Sequence, residues 1–333
     1  MLGKDFSSVE RVFLSNFPCA FSPHLVAYPL AIFPMKNLLS IQSLDAQTIN
    51  RIVALAKDVK AQRCFDPQGP LKGQCWALMF SKSSTRTRMS FEVGIRELGG
   101  SVMFLAADDI QLGRGEPIKD TARVMGRMAH GAVIRTFAQS DVEDFAAYSG
   151  IPTINALTDD EHPCQILSDL FTITESGFVD ISKIKVAFIG DGDCNVARSW
   201  IWAAARCGFE LRIASPSGFL PPAELVKEAG GKILLATDPR EAADGVDVLY
   251  TDVWVSMGKE SETAARMEQF KGFQINDSLC ALAPDALVMH CLPAYREKEI
   301  SEKTFEEHAD TIFRQAENRL HAQKAVLKLI IGE

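Results

Sequence analysis

Apolar residues recur along the chain in two alternating patterns. Short apolar runs predict buried strands, and longer segments with apolar residues three and four positions apart predict helices. In the first half of the chain, the predicted strands are 75–80, 101–105, 132–135 and 152–156. The predicted helices are 45–60, 84–100, 121–130 and 141–148. This alternation of strand and helix predicts a parallel sheet covered by helices.

The same alternation begins again after a helix that starts near Pro163. The predicted strands of the second half are 185–189, 210–214, 232–235, 246–251, 274–275 and 287–290. Its predicted helices are 195–207, 222–229, 239–243 and about 308–329. We therefore predict the α/β class, with two doubly wound parallel-sheet domains joined by interdomain helices. The predicted boundaries are an extension over 1–34, domains over 35–165 and 166–308, and a C-terminal helix over 309–333 that packs back across both domains.

Residues 1–34 do not follow either pattern. They are rich in Phe, Leu, Pro and Ala, but Asp5 and Glu10 interrupt the basic residues, which is unlike a signal or transit peptide. A clean helical pattern begins soon after Met35. We expect residues 1–34 to form an extension outside the fold, and an over-extended translation start is one explanation for it.

Composition narrows the class of protein. The chain has 333 residues, of which 47% are hydrophobic and 23% charged, as in ordinary globular proteins. A net charge of −8 argues against a general nucleic-acid binder, and no apolar run is long enough to span a membrane. The eight cysteines include no CxxC pair, which argues against a zinc ribbon or a thioredoxin-type motif. We expect them to be thiols in a reducing cytoplasm.

Ser84-Thr85-Arg86-Thr87-Arg88 lies where a predicted strand turns into a predicted helix. Met89, Val93 and Leu98 follow at roughly helical spacing. The free backbone N–H groups of a helix start, the positive end of the helix dipole and the Arg86 guanidinium all favour a bound phosphate. A Ser/Thr helix cap followed by two solvated arginines is the alternative interpretation.

His162-Pro163-Cys164-Gln165 lies where a loop becomes a helix, because Pro163 suits the first helical turn. His162 and Gln165 can both donate hydrogen bonds to a carbonyl oxygen. A capping histidine with a surface glutamine explains the same residues.

Gly190-Asp191-Gly192 follows a strand and resembles a dinucleotide-binding turn only weakly. Asn195 occupies the third glycine position, and no acidic residue ends the next strand. A nicotinamide-dependent oxidoreductase is therefore disfavoured. Either this is a plain turn, or Asn195 projects toward a polar ligand.

Two further segments follow predicted strands, where ligands of parallel sheets bind. Asp252 suits an ammonium group and Ser256 a carboxylate, although a capping aspartate is the simpler interpretation. Cys291 is a candidate nucleophile, a substrate-orienting group or a buried thiol. Its neighbour His290 points to the opposite side of an extended chain, so we do not expect the two side chains to pair. Arg319, on the last helix, is by itself most simply a surface charge.

Taken together in this order, four segments resemble the ornithine carbamoyltransferases of the aspartate/ornithine carbamoyltransferase family. They are 80–88, 162–165, 252–258 and 290–293. The similarity runs from about Met35 to the C-terminus. One departure is Cys194, where many members have a second Asn, and we expect it to alter at most the affinity for ornithine.

The resemblance implies the roles of the site residues. Carbamoyl phosphate would contact Ser84, Thr85, Arg86, Thr87, Gln111, Arg135, His162, Gln165, Cys291, Leu292 and Arg319, with Gln111 supplied by a neighbouring subunit. Cys291 and Leu292 would also position the δ-amino group of ornithine. The rest of ornithine would contact Asn195, Asp252, Ser256 and Met257. The catalytic residues would be Arg86, Arg135, His162 and Cys291.

The implied reaction transfers the carbamoyl group of carbamoyl phosphate to L-ornithine, giving L-citrulline and phosphate. Domain 35–165 would bind carbamoyl phosphate and domain 166–308 ornithine. The resemblance implies no cofactor and no metal, a cytoplasmic location, and a homotrimer or a multiple of trimers. We expect a role in arginine biosynthesis, with arginine breakdown left open. A carbamoyltransferase for another amine and a catalytically silent binding protein are the alternatives.

Overall fold

A computed structural model of the chain describes residues 35–106, 115–255 and 263–332. The predicted extension 1–34 lies outside the described residues. So do three predicted site residues, Gln111, Ser256 and Met257. The predictions made for them stay predictions.

The first sheet contains four parallel strands in the order β2-β1-β3-β4. The strands are β1 (Cys75–Phe80), β2 (Ser101–Ala106), β3 (Gly131–Arg135) and β4 (Thr153–Leu157). The helices of this half are α1 (Ala46–Ala61), α2 (Thr85–Glu97), α3 (Ile118–Met125) and α4 (Gln139–Ser149). The strand order reverses between β1 and β3, so the crevice for a ligand lies beyond the carboxyl ends of these two strands.

The second sheet contains five parallel strands in the order β7-β6-β5-β8-β9. The strands are β5 (Lys185–Ile189), β6 (Glu210–Ala214), β7 (Lys232–Ala236), β8 (Val248–Thr251) and β9 (Leu287–His290). Its helices are α6 (Asn195–Cys207), α7 (Ala223–Ala229), α8 (Pro239–Ala243), α9 (Thr263–Gln269), α10 (Asp277–Cys280) and α11 (Glu302–Glu307). The order reverses between β5 and β8. The predicted α/β class with two parallel sheets is confirmed.

Two long helices connect the halves. Helix α5 (Pro163–Glu175) follows β4, and helix α12 (Ala309–Ile330) ends the described chain. Residues 163–173 of α5 are all buried, which is the pattern of a helix surrounded by other elements. Helix α12 packs against α1, α2 and α5 and also against β9. One apolar core therefore runs from the first sheet through α5 and α12 to the second sheet.

Helix α2 turns a different side toward the core than its apolar spacing indicated. Phe91 and Ile95 are fully buried, whereas Met89 is 62% exposed. The reason is the close approach of α12, because a Cβ atom on Gly94 would lie 3.3 Å from the Leu320 side chain. A side chain at position 94 would therefore require the Leu320 side chain to move by a few tenths of an ångström.

Three other sequence predictions differ from the structure. The helix predicted over 121–130 ends at Met125, because Gly126 approaches the chain at Ser149. The strand predicted over 274–275 is reduced to an isolated bridge between Ile275 and Ile300. The short helices α9, α10 and α11 were not predicted. Within the described ranges, no helix combines the length and the apolar character needed to cross a bilayer.

Candidate active site

The start of α2 presents backbone and hydroxyl groups at the carboxyl end of β1. Ser84 caps the helix, with its Oγ accepting a hydrogen bond from the Thr87 N–H at 3.3 Å. The side chains of Thr85 and Arg86 are exposed, whereas Thr87 is buried. The adjacent strand end is joined to this turn, since Ser81 N donates to the carbonyl oxygen of Arg135 at 2.8 Å. The first helical turn therefore faces the crevice at the point where the strand order reverses.

Four buried side chains from three elements converge beside this helix start. Arg135 ends β3, His162 and Gln165 lie at the start of α5, and Arg319 lies on α12. Arg319 Nη1 donates to Gln165 Oε1 at 2.5 Å, and Nη2 donates to Thr87 Oγ1 at 3.3 Å. Helix α12 thereby joins the start of α5 to the start of α2.

Burial dominates the electrostatics of this pocket. It lowers the pKa of Arg135 to about 10, and repulsion from Arg319 and Arg86 adds to the effect. Burial, together with Arg319 and Arg135, holds the pKa of His162 well below its usual range, so the imidazole is neutral. Burial also lowers the pKa of Arg319. Buried cations that repel one another are stabilised by a bound anion.

Three polar atoms in the pocket also indicate that it binds an anion. Arg135 Nε, His162 Nδ1 and Arg319 Nε are buried and have no hydrogen-bond partner among the described residues. Buried nitrogen atoms are nearly always bonded in folded proteins, so a group left unpaired calls for an explanation. A small, oxygen-rich anion with a planar acyl group would supply acceptors for these atoms.

In the second half, Asp252 and Cys291 follow neighbouring strands and form a pair. Cys291 Sγ donates to Asp252 Oδ1 at 2.8 Å, and Val253 N donates to the same oxygen at 2.7 Å. Burial raises the pKa of Cys291 well above its usual range, and the Asp252 charge raises it further. The thiol is therefore protonated and is a poor nucleophile. Both of these bonds end on Oδ1 of Asp252.

His290 stabilises the turn after β9 and does not bond to Cys291. Its Nδ1 accepts from Leu292 N at 2.9 Å, and its Nε2 bonds Glu299 Oε1 at 3.1 Å. This supports the left-handed backbone of Leu292, which has a φ of 58° and precedes a cis proline bond. Asp252, His290 and Cys291 bring ligand atoms within 4.8 Å of one another, but a metal ion would have to displace one of the two His290 partners.

Comparison with known proteins identifies the family. Residues 36–175 match the model of the aspartate/ornithine carbamoyltransferase carbamoyl-P binding domain, and residues 182–330 match that of the Asp/Orn binding domain. The chain belongs to the aspartate/ornithine carbamoyltransferase family. It is a carbamoyltransferase, as the resemblance of its motifs implied.

Several relatives of this family are similar over nearly their whole length. The ornithine carbamoyltransferase of Akkermansia muciniphila is 57% identical over 296 residues, which is 88% of this chain and 97% of the relative. That of a Sulfurovum species is 48% identical over 88% and 98%. The crystal structure of anabolic ornithine carbamoyltransferase from Campylobacter jejuni superimposes with a TM-score of 0.84, at 43% identity over 89% and 99% of the two chains. Ornithine carbamoyltransferase from Pyrococcus furiosus gives a TM-score of 0.84 at 42% identity, over 91% and 99%.

In this carbamoyltransferase, Asn195 and Cys194 lie at the start of α6. Asn195 Nδ2 donates to the carbonyl oxygen of Thr158 at 2.6 Å, which links the second half to the loop before α5. Cys194 is the cap residue of α6, and its Sγ accepts from Ala197 N at 3.4 Å. The departure from Asn at position 194 therefore lies in a capping position, with the side chain buried.

Sequence reasoning missed a buried carboxyl group beside His162. Glu161 accepts from Ile41 N at 2.8 Å and from Ser199 Oγ at 3.1 Å, and Ser199 Oγ in turn accepts from His162 N at 2.9 Å. Burial raises the pKa of Glu161 to about 7, although the amides of Ile41 and Gln42 oppose the shift. No sequence pattern marks such a residue, because its partners are far apart in the chain.

Replacing Glu161 by Gln is expected to change how stability depends on pH. The folded pKa of about 7 lies above the ordinary value of 4.5, so the contribution of this carboxyl to stability is fully present below the ordinary value and is lost as pH rises through about 7. A Gln cannot ionise. We expect the stability of Glu161→Gln relative to the wild type to rise by roughly 3 kcal/mol between about pH 4 and about pH 8. Thermal melting of both proteins across this pH range measures the difference in stability. Parallel curves of stability against pH would contradict the raised pKa of Glu161.

Proposed function

We propose that this chain transfers the carbamoyl group of carbamoyl phosphate to the δ-amino group of L-ornithine, giving L-citrulline and phosphate. The observation that carries the proposal is the meeting of two unlike half-sites. The first half supplies buried cations, and the second supplies the Asp252–Cys291 pair. They are joined through α12, since Gln315 accepts at 2.9 Å from the backbone N–H of His290, the neighbour of Cys291, and Arg319 lies one turn further along the same helix.

The first half-site suits the phosphate and the carbonyl oxygen. Ser84, Thr85, Arg86 and Thr87 offer N–H, hydroxyl and guanidinium donors to the phosphate oxygens at a helix start. Neutral His162 offers one N–H to the carbonyl oxygen. The buried guanidinium of Arg135 is a further donor, and it is near enough to Arg86 and Arg319 to be repelled by both. Gln111 is proposed to complete the phosphate contacts.

The second half-site suits an amino acid with an ammonium group. Asp252 accepts an ammonium through Oδ2, and Asn195 lies at the start of α6 in the same crevice. Ser256 and Met257 are proposed to bind the remaining amino-acid groups. Cys291 and Leu292 are proposed to position the δ-amine. Because the Cys291 thiol is protonated, it orients the substrate and does not attack it.

In the proposed reaction, the neutral δ-amine attacks the carbonyl carbon and the C–O bond to phosphate then breaks. Charge builds on the carbonyl oxygen and on the departing phosphate, where Arg86, Arg135 and Thr87 are proposed to stabilise it, and His162 donates to the oxygen. The leaving phosphate accepts the proton that the amine loses. Alignment of two substrates between the halves contributes much of the acceleration.

The proposed assembly is a homotrimer or a multiple of trimers. Support comes from the outer side of α2, where Met89, which is 62% exposed, lies with Val93 and Phe104 beside the edge strand β2. A cavity of about 700 Å³ opens there, lined in part by Ser84, Thr85 and Arg88. Exposed apolar groups beside a binding site are typical of a surface that a second protein covers.

The cellular role is also part of the proposal. Six cysteines among the described residues are free thiols, which suits the proposed cytoplasmic location: Cys75, Cys164, Cys194, Cys207, Cys280 and Cys291. The similar Campylobacter jejuni protein is an anabolic enzyme, which supports arginine biosynthesis over breakdown.

The choice of acceptor is tested by offering several amines in parallel. With carbamoyl phosphate present, L-ornithine, L-aspartate, putrescine and N-acetylornithine are supplied separately and each product is resolved by mass. We expect citrulline from ornithine and no product from the others, because Asp252 and its neighbours select the amino-acid end. If another amine alone is carbamoylated, carbamoyl phosphate remains the proposed donor, but ornithine is wrong as the acceptor.

Substitutions in the two half-sites are expected to separate their roles. Arg86→Ala should lower kcat/KM by about 10² to 10³ and weaken carbamoyl phosphate binding. Cys291→Ala should lower the rate and weaken ornithine binding while leaving carbamoyl phosphate binding nearly intact. Calorimetry with each substrate measures how strongly each variant binds carbamoyl phosphate and ornithine. Arg63→Ala is the matched control, since Arg63 is an exposed arginine that pairs with Glu97 and has no proposed role in either half-site. Equal loss of both substrates in Cys291→Ala would count against the role of Cys291.

A mixing experiment tests whether Gln111 comes from a neighbouring subunit. Arg86→Ala and Gln111→Ala chains are each expected to be nearly inactive as pure assemblies. When the two are unfolded together and refolded at equal amounts, about a quarter of shared sites would combine an intact Arg86 with an intact Gln111. Recovery of activity is the expected result. Activity no higher than the sum of the pure variants would place Gln111 within its own subunit's site.

A further inference from the structure

A cluster of buried polar residues to which the proposed reaction assigns no role lies behind the carbamoyl pocket. Asp169 on α5, Tyr250 on β8 and Gln315 on α12 are all fully buried. Asp169 Oδ1 accepts from Gln165 Nε2 and from Gln315 Nε2, both at 2.8 Å. Asp169 Oδ2 accepts from the Tyr250 hydroxyl at 2.8 Å. The carboxylate of Asp169 is therefore the centre of the cluster.

The neighbours of Gln165 fix the orientation of its side-chain amide from both sides. An ionised carboxylate only accepts hydrogen bonds, and a guanidinium only donates them. The Gln165 NH₂ group must therefore face Asp169, and its carbonyl oxygen must face Arg319, at 2.5 Å. Arg319 uses one lone pair of this oxygen. The second lone pair remains available to accept a bond from another donor.

We propose that Asp169 is a positioning residue that determines specificity for the carbamoyl NH₂ group. By holding the amide of Gln165 in one orientation, it presents a hydrogen-bond acceptor where the substrate carries its amine. The inference rests on the proposed function, in which Gln165 contacts the carbamoyl group. An acyl phosphate with a methyl group in the same place cannot donate a hydrogen bond and leaves the buried oxygen partly unpaired.

Position 169 controls this orientation because of the chemistry of a carboxylate. In Asp169→Asn, the new side chain offers both an acceptor and a donor to Gln165. The Gln165 amide is then constrained from one side only, by Arg319, so the inverted orientation, with its NH₂ group toward the substrate amine, becomes less unfavourable. Shape and volume at position 169 are almost unchanged, so the variant tests hydrogen-bond direction more than packing.

The titration of Asp169 gives an independent test. Burial raises the pKa of Asp169 to about 6, although its hydrogen bonds and Arg319 on α12 oppose the shift. The other titratable groups that act on it are Tyr250 on β8 and Cys291 after β9. A protonated carboxyl group can donate, so the constraint on Gln165 relaxes as pH falls below about 6.

The experiment compares two stable probes that differ only in the group of interest. Phosphonoacetamide carries the amine, and acetonylphosphonate carries a methyl group in its place. Calorimetry gives the dissociation constant of each for the wild type, Asp169→Asn and Tyr250→Phe. We expect the preference for phosphonoacetamide to fall about tenfold in Asp169→Asn. Tyr250→Phe should keep the preference, because Asp169 remains a pure acceptor.

Each outcome supports or overturns the proposed positioning role of Asp169. If Asp169→Asn weakens both probes equally, Asp169 only holds the helices together and the inference is overturned. If the variant does not fold, the wild-type preference measured from about pH 8 to about pH 5 replaces it, since the shared phosphonate cancels in the ratio. A preference that declines with falling pH supports the inference, and a constant one overturns it. If neither probe binds the wild type, the proposed function fails as well.

Discussion

Burial of basic groups without a matching acid is the constraint on which the candidate site depends. In the part of the chain that the structure describes, neither Arg135 nor Arg319 forms an ion pair. Isolated buried charges destabilise a folded protein strongly. The apolar surface buried in the extended core around α5 and α12 offsets this cost. The result is a pocket already organised for an anion, which is how electrostatic catalysis avoids reorganisation during the reaction.

The two halves of the molecule have opposite electrostatic character. In the proposed function, the first half presents cations toward a phosphate, and the second presents a carboxylate beside a protonated thiol toward an ammonium. The group that moves between the substrates is uncharged and lies at the boundary. Each half can therefore bind its own substrate strongly without charge being placed directly on the transferred group. Helix α12 crosses this boundary, because Arg319 contacts the first half-site and Gln315 contacts the backbone of His290.

The sequence predicted most strands and helices and the residues at the strand ends. It did not predict which faces of the helices pack against one another. Short apolar runs matched the strands because parallel strands are buried on both faces. The exposure of Met89 could not be foreseen, since the position of α12 against Gly94 is a long-range property. The motif residues Thr87, Gln165 and Arg319 do come together in one pocket. Asp169 lies one helical turn after Gln165, a spacing visible in the sequence, but its partners Tyr250 and Gln315 come from distant elements.

The position of α12 after both sheets in the chain has a consequence for synthesis on the ribosome. Both sheets precede it and can form as the chain emerges, since domains fold as they are made. Arg319 and Gln315, however, are translated only after every strand of the two sheets. The pocket stays open on one side until α12 leaves the exit tunnel and packs between the halves. A nascent chain that has not yet reached α12 thus holds two folded layers with an incomplete centre, and the addition of this one helix assembles the site.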